Sequence, residues 1–153
     1  MIRWRDGRRG DVAAVVAMLA DDALGRGREA ADLVAYEAGF DAMTAEAGNH
    51  LIVGEDADGA VVACYQITFI SGLSLAAARR AQIEGVRVRA DRRGQGIGAA
   101  LIADAEARAR AVGCSLVQLT SNAARADARR FYEAQGFAAS HVGFKKVLGA
   151  EQR

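Results

Sequence analysis

Apolar residues recur at every third or fourth position in four segments of the chain, which is the spacing of a helix with one buried face. The first of these segments follows Asp11, a residue type that caps helix amino termini, and it is broken at Gly25 and Gly27. The pattern therefore predicts four helices, the first beginning after Asp11 and the others spanning Glu29 to Ala47, Ile97 to Val112, and Ala124 to Gln135.

Seven other segments are short apolar runs or alternate between apolar and polar residues, as strands do. The predicted strands are Ile2 to Arg5, His50 to Glu55, Ala60 to Ile70, Gln82 to Arg89, Ser115 to Thr120, Phe137 to Ala139 and Val142 to Leu148. The resulting order is β-α-α-β-β-β-α-β-α-β-β. It predicts a single α/β (α+β) domain over residues 1–153 with a mixed, mostly antiparallel sheet.

Composition is that of an ordinary globular protein and argues against several classes of partner. Hydrophobic residues make up 52% of the chain and charged residues 25%, while the net charge is only +1. This balance gives no support for binding to nucleic acid or to a membrane surface. No apolar run reaches the roughly 18 residues of a membrane span, and the amino terminus lacks the apolar core of a secretory signal. We therefore expect a cytoplasmic protein.

Residues of metal-binding type are scattered along the chain. Cys64 and Cys114 lie far apart, each within an apolar run, and His50 and His141 are isolated from them and from each other. Metal sites need ligands at short, characteristic spacings. The sequence therefore predicts no metal site and two reduced, buried thiols.

The stretch RRGQGIGAALI, residues 92–102, places three glycines between two arginines and a predicted helix. The amides at a helix amino terminus can hold an anion, and glycine lets the backbone approach it closely. A P-loop is excluded because its Gly-Lys-Ser/Thr ending is missing. A dinucleotide-binding loop is disfavoured because the next strand ends LTSN without a carboxylate and too little chain follows. The diphosphate site of an acyl-CoA binder and a plain strand-to-helix turn both remain.

Three ordered segments resemble motifs of the GNAT superfamily of acetyl-CoA-dependent N-acetyltransferases. RGQGIG, residues 93–98, is similar to its Gln/Arg-x-x-Gly-x-Gly/Ala signature. The preceding IEGVRV, residues 83–88, resembles its fourth strand, and ARRFYEAQGF, residues 128–137, resembles its A-x-x-x-Tyr-x-x-x-Gly-Phe block. The resemblance implies the GNAT-type acyl-CoA N-acyltransferase fold, in which the central fourth and fifth strands splay apart around the thioester.

The resemblance also implies acetyl-CoA as cosubstrate and no metal. The backbone of the family's fourth strand binds the pantetheine arm, which implies that role for Val86, Arg87 and Val88. The family's asparagine seven residues before the tyrosine is replaced by Arg125, so either Asn122 takes over its CoA contact or Arg125 reaches a phosphate. The pyrophosphate would be held by the loop residues Arg93, Gly94, Gln95, Gly96, Ile97, Gly98 and Ala99.

The implied reaction needs a base and an acid. An alkylammonium of pKa about 10.4 is almost fully protonated at neutral pH, so the amine must lose a proton before it attacks. Glu84 is the candidate base, acting through water, because family members with an Ile-Glu-x-x-x-Val strand use a glutamate there, and burial would make it a stronger base. Tyr132 matches the family's general acid for the leaving thiolate. The alternative for Glu84 is a solvent-facing side chain or an ion pair with Arg79 or Arg87. The alternative for Tyr132 is a core aromatic residue.

Acceptor specificity in this fold comes from the first two helices and the loop before the fourth strand, here Leu24 to Phe40 and Ser71 to Arg80. Acidic residues in the first region would attract a cationic amine, whereas Arg79 and Arg80 would bind a phosphate or carboxylate. We expect a primary amine on a small molecule as acceptor. The alternative function is a non-catalytic acyl-CoA-binding or sensing module. Family members often form homodimers through the final strands, here Phe137 to Leu148.

Overall fold

The computed structural model describes residues 1–21 and 32–149. The chain divides into two compact units, 1–119 and 120–153. The strands of the first unit are β1 (Arg3–Asp6), β2 (Asn49–Glu55), β3 (Val61–Ile70), β4 (Arg80–Val88) and β5 (Leu116–Gln118), and its helices are α1 (Val12–Ala20), α2 (Leu33–Ala45) and α3 (Ile97–Ala111). Short helical turns span Arg9–Asp11, Ser74–Ala77 and Ala90–Arg92. The second unit contains α4 (Ala126–Ala134).

The five strands form one mixed sheet in the order β1-β2-β3-β4-β5. The first four are antiparallel neighbours, and β5 runs parallel to β4. Antiparallel neighbours can be joined by a short turn, whereas a parallel strand requires a longer crossover, which α3 supplies. The fold class predicted from the sequence, a mixed and mostly antiparallel sheet with helices, is confirmed.

Helices cover both faces of the sheet. Successive side chains of a strand point to opposite faces, and two neighbouring residues of β3 show which helix lies on each face. Cys64 packs with Val15 and Met18 of α1, whereas the Tyr65 hydroxyl donates to the Asp104 carboxylate of α3 at 2.5 Å. We refer to these as the α1 face and the α3 face.

The core lies around β3 and β4. Val62, Ile67 and Ile83 of these strands and Leu101 of α3 are all at most 1% exposed. Complete burial of one such side chain contributes about 1.5–3 kcal/mol. This rigid centre holds β4, the strand on which the cofactor and acceptor chemistry was predicted.

The loop between β3 and β4 has an unusual backbone. Leu75, Ala76 and Ala77 have φ values of 54°, 58° and 59°. The left-handed region costs a residue with a Cβ roughly 1–2 kcal/mol. Three consecutive residues of this kind make a strained turn, and such strain is concentrated at functional sites more often than elsewhere.

The two final predicted strands, Phe137 to Ala139 and Val142 to Leu148, are wrong. No strand is present in residues 137–149 of the second unit. Val142, Phe144 and Leu148 are 78%, 93% and 89% exposed. A strand exists only with a hydrogen-bonded neighbour, and an apolar pattern cannot supply one.

The first helix begins at Val12, directly after Asp11 as predicted, but the capping role expected of Asp11 needs correction. Asp11 occupies the N-cap position of α1, but its carboxylate accepts from the Arg8 amide at 2.7 Å and so caps the preceding turn. The predicted break at Gly25 and Gly27 and the predicted start at Glu29 lie outside the described residues. Within them, α2 begins at Leu33, after Asp32 accepts a hydrogen bond from the Ala35 amide at 3.2 Å.

Candidate active site

The fourth and fifth strands separate after three residue pairs. Arg80, Ala81 and Gln82 pair with Leu116, Val117 and Gln118, where β5 ends. β4 continues to Val88, and within the described part of the chain no strand pairs with residues 83–88 on the β5 side. A strand edge that no neighbouring strand covers forms a template for an extended ligand, although here the Val86 carbonyl accepts from the Arg87 guanidinium at 2.9 Å and the Val88 carbonyl from Arg93 at 3.2 Å. Val86, Arg87 and Val88, the predicted pantetheine contacts, all lie on this edge.

A β-bulge at Gly85 lies within the same stretch. Cys64 pairs with Arg87 and Gln66 with Glu84, so Tyr65 alone opposes both Gly85 and Val86. Gly85 has φ +57°, which a side chain would strain. A bulge of this kind bends its strand and increases the local twist. Gly85 is not among the predicted site residues, although an isolated glycine in a strand pattern is the signal of a bulge.

The Cys64 side chain supports the bulge. Its thiol donates to the Gly85 carbonyl at an S···O distance of 3.6 Å. Burial raises the pKa of the Cys64 thiol to about 12, so the thiolate that a nucleophile requires does not form near neutral pH. Burial therefore makes Cys64 unsuited to act as a nucleophile, and its contact with the Gly85 carbonyl is structural.

The glycine loop turns directly from β4 into α3. Gly94 and Gly96 have φ +75° and +79°, and Gly96 is the N-cap of α3. No side chain of residues 1–21 or 32–149 caps this helix, so its first backbone amides, from Ile97 onward, have no side-chain acceptor among these residues. A Cβ built on either glycine would meet no atom within 4 Å. The glycines are thus required by backbone conformation, and no described residue crowds the position where a side chain would begin.

The two arginines before the loop have different roles. Arg92 binds the Asp56 carboxylate at 2.8 Å and the Gln95 side-chain oxygen at 3.3 Å, so it ties the loop to the β2–β3 turn. Arg93 donates to the Val88 carbonyl at 3.2 Å from an exposed position. Because Arg92 already has a carboxylate partner, Arg93 is the better-placed arginine for an incoming anion.

Glu84 is exposed on β4, so the burial expected from its apolar strand is wrong. It makes no ion pair with any described residue, Arg79 and Arg87 included. Arg79 instead donates to the Val112 carbonyl at 2.7 Å and lies over the Phe69 ring. An unpaired carboxylate on an accessible strand can accept a proton through water.

Polar side chains surround Glu84 on the α1 face. Gln66, opposite Glu84, donates to the Asn49 side chain at 2.9 Å, and Gln118 donates to Gln82 at 3.0 Å. This polar row crosses the middle of the sheet, where an apolar face is normal. We define it as Asn49, Gln66, Gln82, Glu84 and Gln118.

Tyr132 lies on α4 in the second unit, between two aromatic rings. Its ring centroid is 5.1 Å from that of Phe131 and 5.8 Å from that of Phe137, both edge to face. The second contact depends on how α4 ends: the Phe137 amide donates to the Tyr132 carbonyl and the Gly136 amide to that of Glu133, both at 3.0 Å. These bonds form a Schellman motif, and Gly136 at φ +93° makes it possible. Gly136 and Phe137, the Gly-Phe pair of the family's sequence block, thus hold the Tyr132 ring in place.

Asn122, also in the second unit, shapes the approach to α4. Its side-chain oxygen accepts from the Ala124 amide at 2.9 Å, and its carbonyl accepts from the Arg125 amide at 2.9 Å. This Asx turn leaves the side-chain NH₂ group as the part of Asn122 that can contact a ligand. Arg125 is the residue that precedes the helix.

A strand edge without a partner, leading through a glycine turn to an uncapped helix, is the cofactor arrangement expected of an acyl-CoA-dependent acyltransferase. The acetyltransferase (GNAT) family matches residues 14–137, most of the chain. The chain therefore belongs to the GNAT acetyltransferase family, whose cosubstrate is acetyl-CoA, and is an acyltransferase.

Two individual relatives are named acetyltransferases and a third is named a transcriptional regulator. Aminoalkylphosphonate N-acetyltransferase of Salmonella typhimurium is 48% identical over 56 residues, which are 37% of this chain and 36% of that protein. The crystal structure of a transcriptional regulator from Bacillus halodurans C-125 is 42% identical, with a TM-score of 0.91, and covers 97% of this chain and 100% of that one. A Trypanosoma brucei acetyltransferase is 25% identical with a TM-score of 0.76, covering 97% and 100%.

Two further observations concern only the described residues. None of their helices is long and apolar enough to cross a bilayer. No group of three or more His, Cys, Asp or Glu side chains among them is placed to hold a metal ion.

Proposed function

We propose that the protein transfers the acetyl group of acetyl-CoA to a primary amine of a small molecule. The observation that carries this proposal is the continuity of the β4 edge that no described strand covers with the glycine turn at the start of α3. An extended pantetheine arm suits the edge, and a diphosphate suits the helix terminus. The partial relative that acts on an aminoalkylphosphonate supports a small acceptor.

In the proposed mechanism, Glu84 takes a proton from the acceptor ammonium through a bound water. The neutral amine then attacks the thioester carbonyl, and the tetrahedral intermediate expels the CoA thiolate. Tyr132 donates its phenolic proton to that sulfur, since a phenol is a workable acid for a thiolate. The acylated nitrogen then loses its second proton to the tyrosinate, through solvent, which gives the neutral amide and restores the phenol. Exposure of Glu84 supports a water-mediated role, and the inert Cys64 supports direct transfer without an acyl-enzyme.

The roles of Glu84 and Tyr132 can be tested by kinetics with two variants. Glu84→Gln and Tyr132→Phe should each lower kcat by about 10²- to 10⁴-fold while leaving the calorimetric affinity for acetyl-CoA unchanged. Glu106→Gln is the matched control, because Glu106 is a carboxylate on α3 paired with Arg110. Full activity in Glu84→Gln would remove Glu84 from the mechanism, and the same holds for Tyr132→Phe.

The second candidate is a non-catalytic module that binds acyl-CoA as a signal. It is favoured by one observation, that a protein of 42% identity over nearly the whole chain is a transcriptional regulator. Tight acetyl-CoA binding without transfer to any amine in a broad panel would support this candidate. Measurable turnover would exclude it.

Location and assembly are also proposed. Two free cysteines suit the reducing cytoplasm. The exposed apolar side chains of Val142, Phe144 and Leu148 suit burial against a second copy of the chain. We therefore propose a cytoplasmic homodimer.

A further inference from the structure

A cavity of about 280 Å³ lies where β4 and β5 are still paired. Its polar lining comes from Ser74, Arg80 and Gln118, and the strained turn of residues 74–77 forms one wall. The cavity belongs entirely to the first unit. A second cavity, of about 520 Å³, lies beside α1, and no residue of the polar row lines it.

The Arg80 guanidinium is the unusual group in this cavity. It is half-buried, yet it forms no hydrogen bond or ion pair with any described residue. The adjacent Arg79 is held by the Val112 carbonyl and the Phe69 ring. A partly desolvated cation without a partner is unfavourable unless a ligand supplies the counter-charge. A planar guanidinium beside a hydroxyl and an amide is suited to an oxyanion.

Arg80 and Glu84 lie on the same face of β4. Gln82 stands midway between them, and its side chain bonds that of Gln118, another residue of the cavity. Residues two apart in a strand point to the same side. The cavity, Gln82 and Glu84 therefore lie in line along the same face of β4. Four residues of strand span roughly 13 Å between Cα atoms, and the two long side chains shorten that gap.

We infer that this cavity binds an anionic group of the acceptor, with Arg80 as the residue that determines specificity. The inference rests on the proposed function, because it assumes that the amine is presented at Glu84. The acceptor is then a short molecule with a primary amine at one end and a phosphonate, phosphate or carboxylate at the other. The anion binds Arg80, Ser74 and Gln118, and this contact directs the amine toward the thioester.

Steady-state kinetics with four acceptors test the inference: 2-aminoethylphosphonate, O-phosphoethanolamine, β-alanine and uncharged propylamine. Wild type should prefer at least one anionic acceptor to propylamine, and the preferred one identifies the oxyanion. Arg80→Met should raise KM for that acceptor by about 10- to 100-fold with little change in kcat, because an anchoring contact acts equally in the ground and transition states. KM for propylamine should not change.

Three further variants separate anchoring from folding. Arg79→Met is the matched control: the phosphate or carboxylate contact expected of Arg79 from the sequence is not part of this cavity, which Arg79 does not line, so the variant should leave the preference for anionic acceptors intact. Arg80→Lys should restore part of the affinity, since the charge returns without the planar fork. Gly72→Ala would place a Cβ 3.3 Å from an Arg80 guanidinium nitrogen, at the free end of a flexible side chain, so it should change KM for anionic acceptors only slightly. Equal effects of Arg80→Met on charged and uncharged acceptors would overturn the inference.

Direct binding distinguishes this inference from the proposed function. Should no amine be acetylated, the proposed function fails, and calorimetry with 2-aminoethylphosphonate and β-alanine still tests the cavity. Binding to wild type that Arg80→Met abolishes and Arg79→Met preserves would uphold the anion site. Binding that neither variant alters, or no binding of either probe, would refute it.

Discussion

Ala99→Glu should weaken acetyl-CoA binding while stabilising the fold. Ala99 is the third residue of α3 and is exposed, directly behind the glycine turn. A carboxylate in the first turn of a helix interacts favourably with the helix dipole, by about 0.3–1 kcal/mol. The same carboxylate would stand beside the diphosphate in the proposed complex. Stability and binding should therefore change in opposite directions.

The expected size of the binding effect follows from Coulomb's law. A diphosphate with about two negative charges, roughly 6 Å from the new carboxylate, is repelled by about 1.4 kcal/mol even at the dielectric constant of water. This repulsion corresponds to about a tenfold loss of affinity. A local dielectric constant below that of water would increase the repulsion and the loss of affinity. A stabilisation below about 1 kcal/mol should raise Tm by about 1–3 °C in a chain of this size.

Calorimetric titration with acetyl-CoA and thermal unfolding measure the two effects. Ala107→Glu is the control, because position 107 is exposed on the same helix and about 12 Å further from its amino terminus. Gly96→Glu would be a poorer test, since φ of +79° strains any side chain and mixes folding with binding. Unchanged affinity in Ala99→Glu, or an equal loss in Ala107→Glu, would refute the diphosphate site.

Three other predictions concern stability, reactivity and assembly. Hydrogen bonds from Arg5 lower the pKa values of Glu55 and Asp11. The stability that these two carboxylates contribute is complete above ordinary carboxyl pKa values and is lost as the pH falls through their lowered pKa values. Glu55→Gln should therefore flatten the dependence of Tm on pH below about 4.5. The pKa of Cys64 is raised to about 12, so its thiol should resist alkylation by iodoacetamide at about pH 8 until the protein unfolds. Alkylation of the folded protein, detected by mass spectrometry, would contradict the burial of Cys64. Phe144→Asp should convert the proposed dimer to a monomer in light scattering, and an unchanged mass would remove this contact.

Local patterns predicted most elements of the first unit because burial there repeats with the period of the element. The helix predicted from Ile97 to Val112 spans Ile97–Ala111, and its apolar stripe includes Leu101 and Ala105, both buried. The strand predicted from Gln82 begins two residues earlier, at Arg80, because β5 pairs with that end of it. Such boundaries depend on neighbours that periodicity does not describe.

The candidate site was less predictable because it depends on register and local exceptions. The apolar neighbours of Glu84 suggested burial, yet its side chain is exposed on the sheet. The bulge at Gly85 could have been inferred from a glycine inside a strand, but its position opposite Tyr65 requires the pairing with β3. The free guanidinium of Arg80 is a property of its surroundings, since Arg79 beside it in the sequence donates to the Val112 carbonyl and lies over the Phe69 ring.

The separation of β4 from β5 has a consequence for how the protein can diversify. In the proposed enzyme, the main chain of β4 recognises the donor, whereas side chains of the same strand, from Arg80 to Glu84, face the acceptor. Main-chain recognition is indifferent to side-chain identity, so replacing Gln82 or Arg80 can redirect the choice of amine without loss of the donor. One strand thereby lets selection alter the acceptor while the cosubstrate stays fixed.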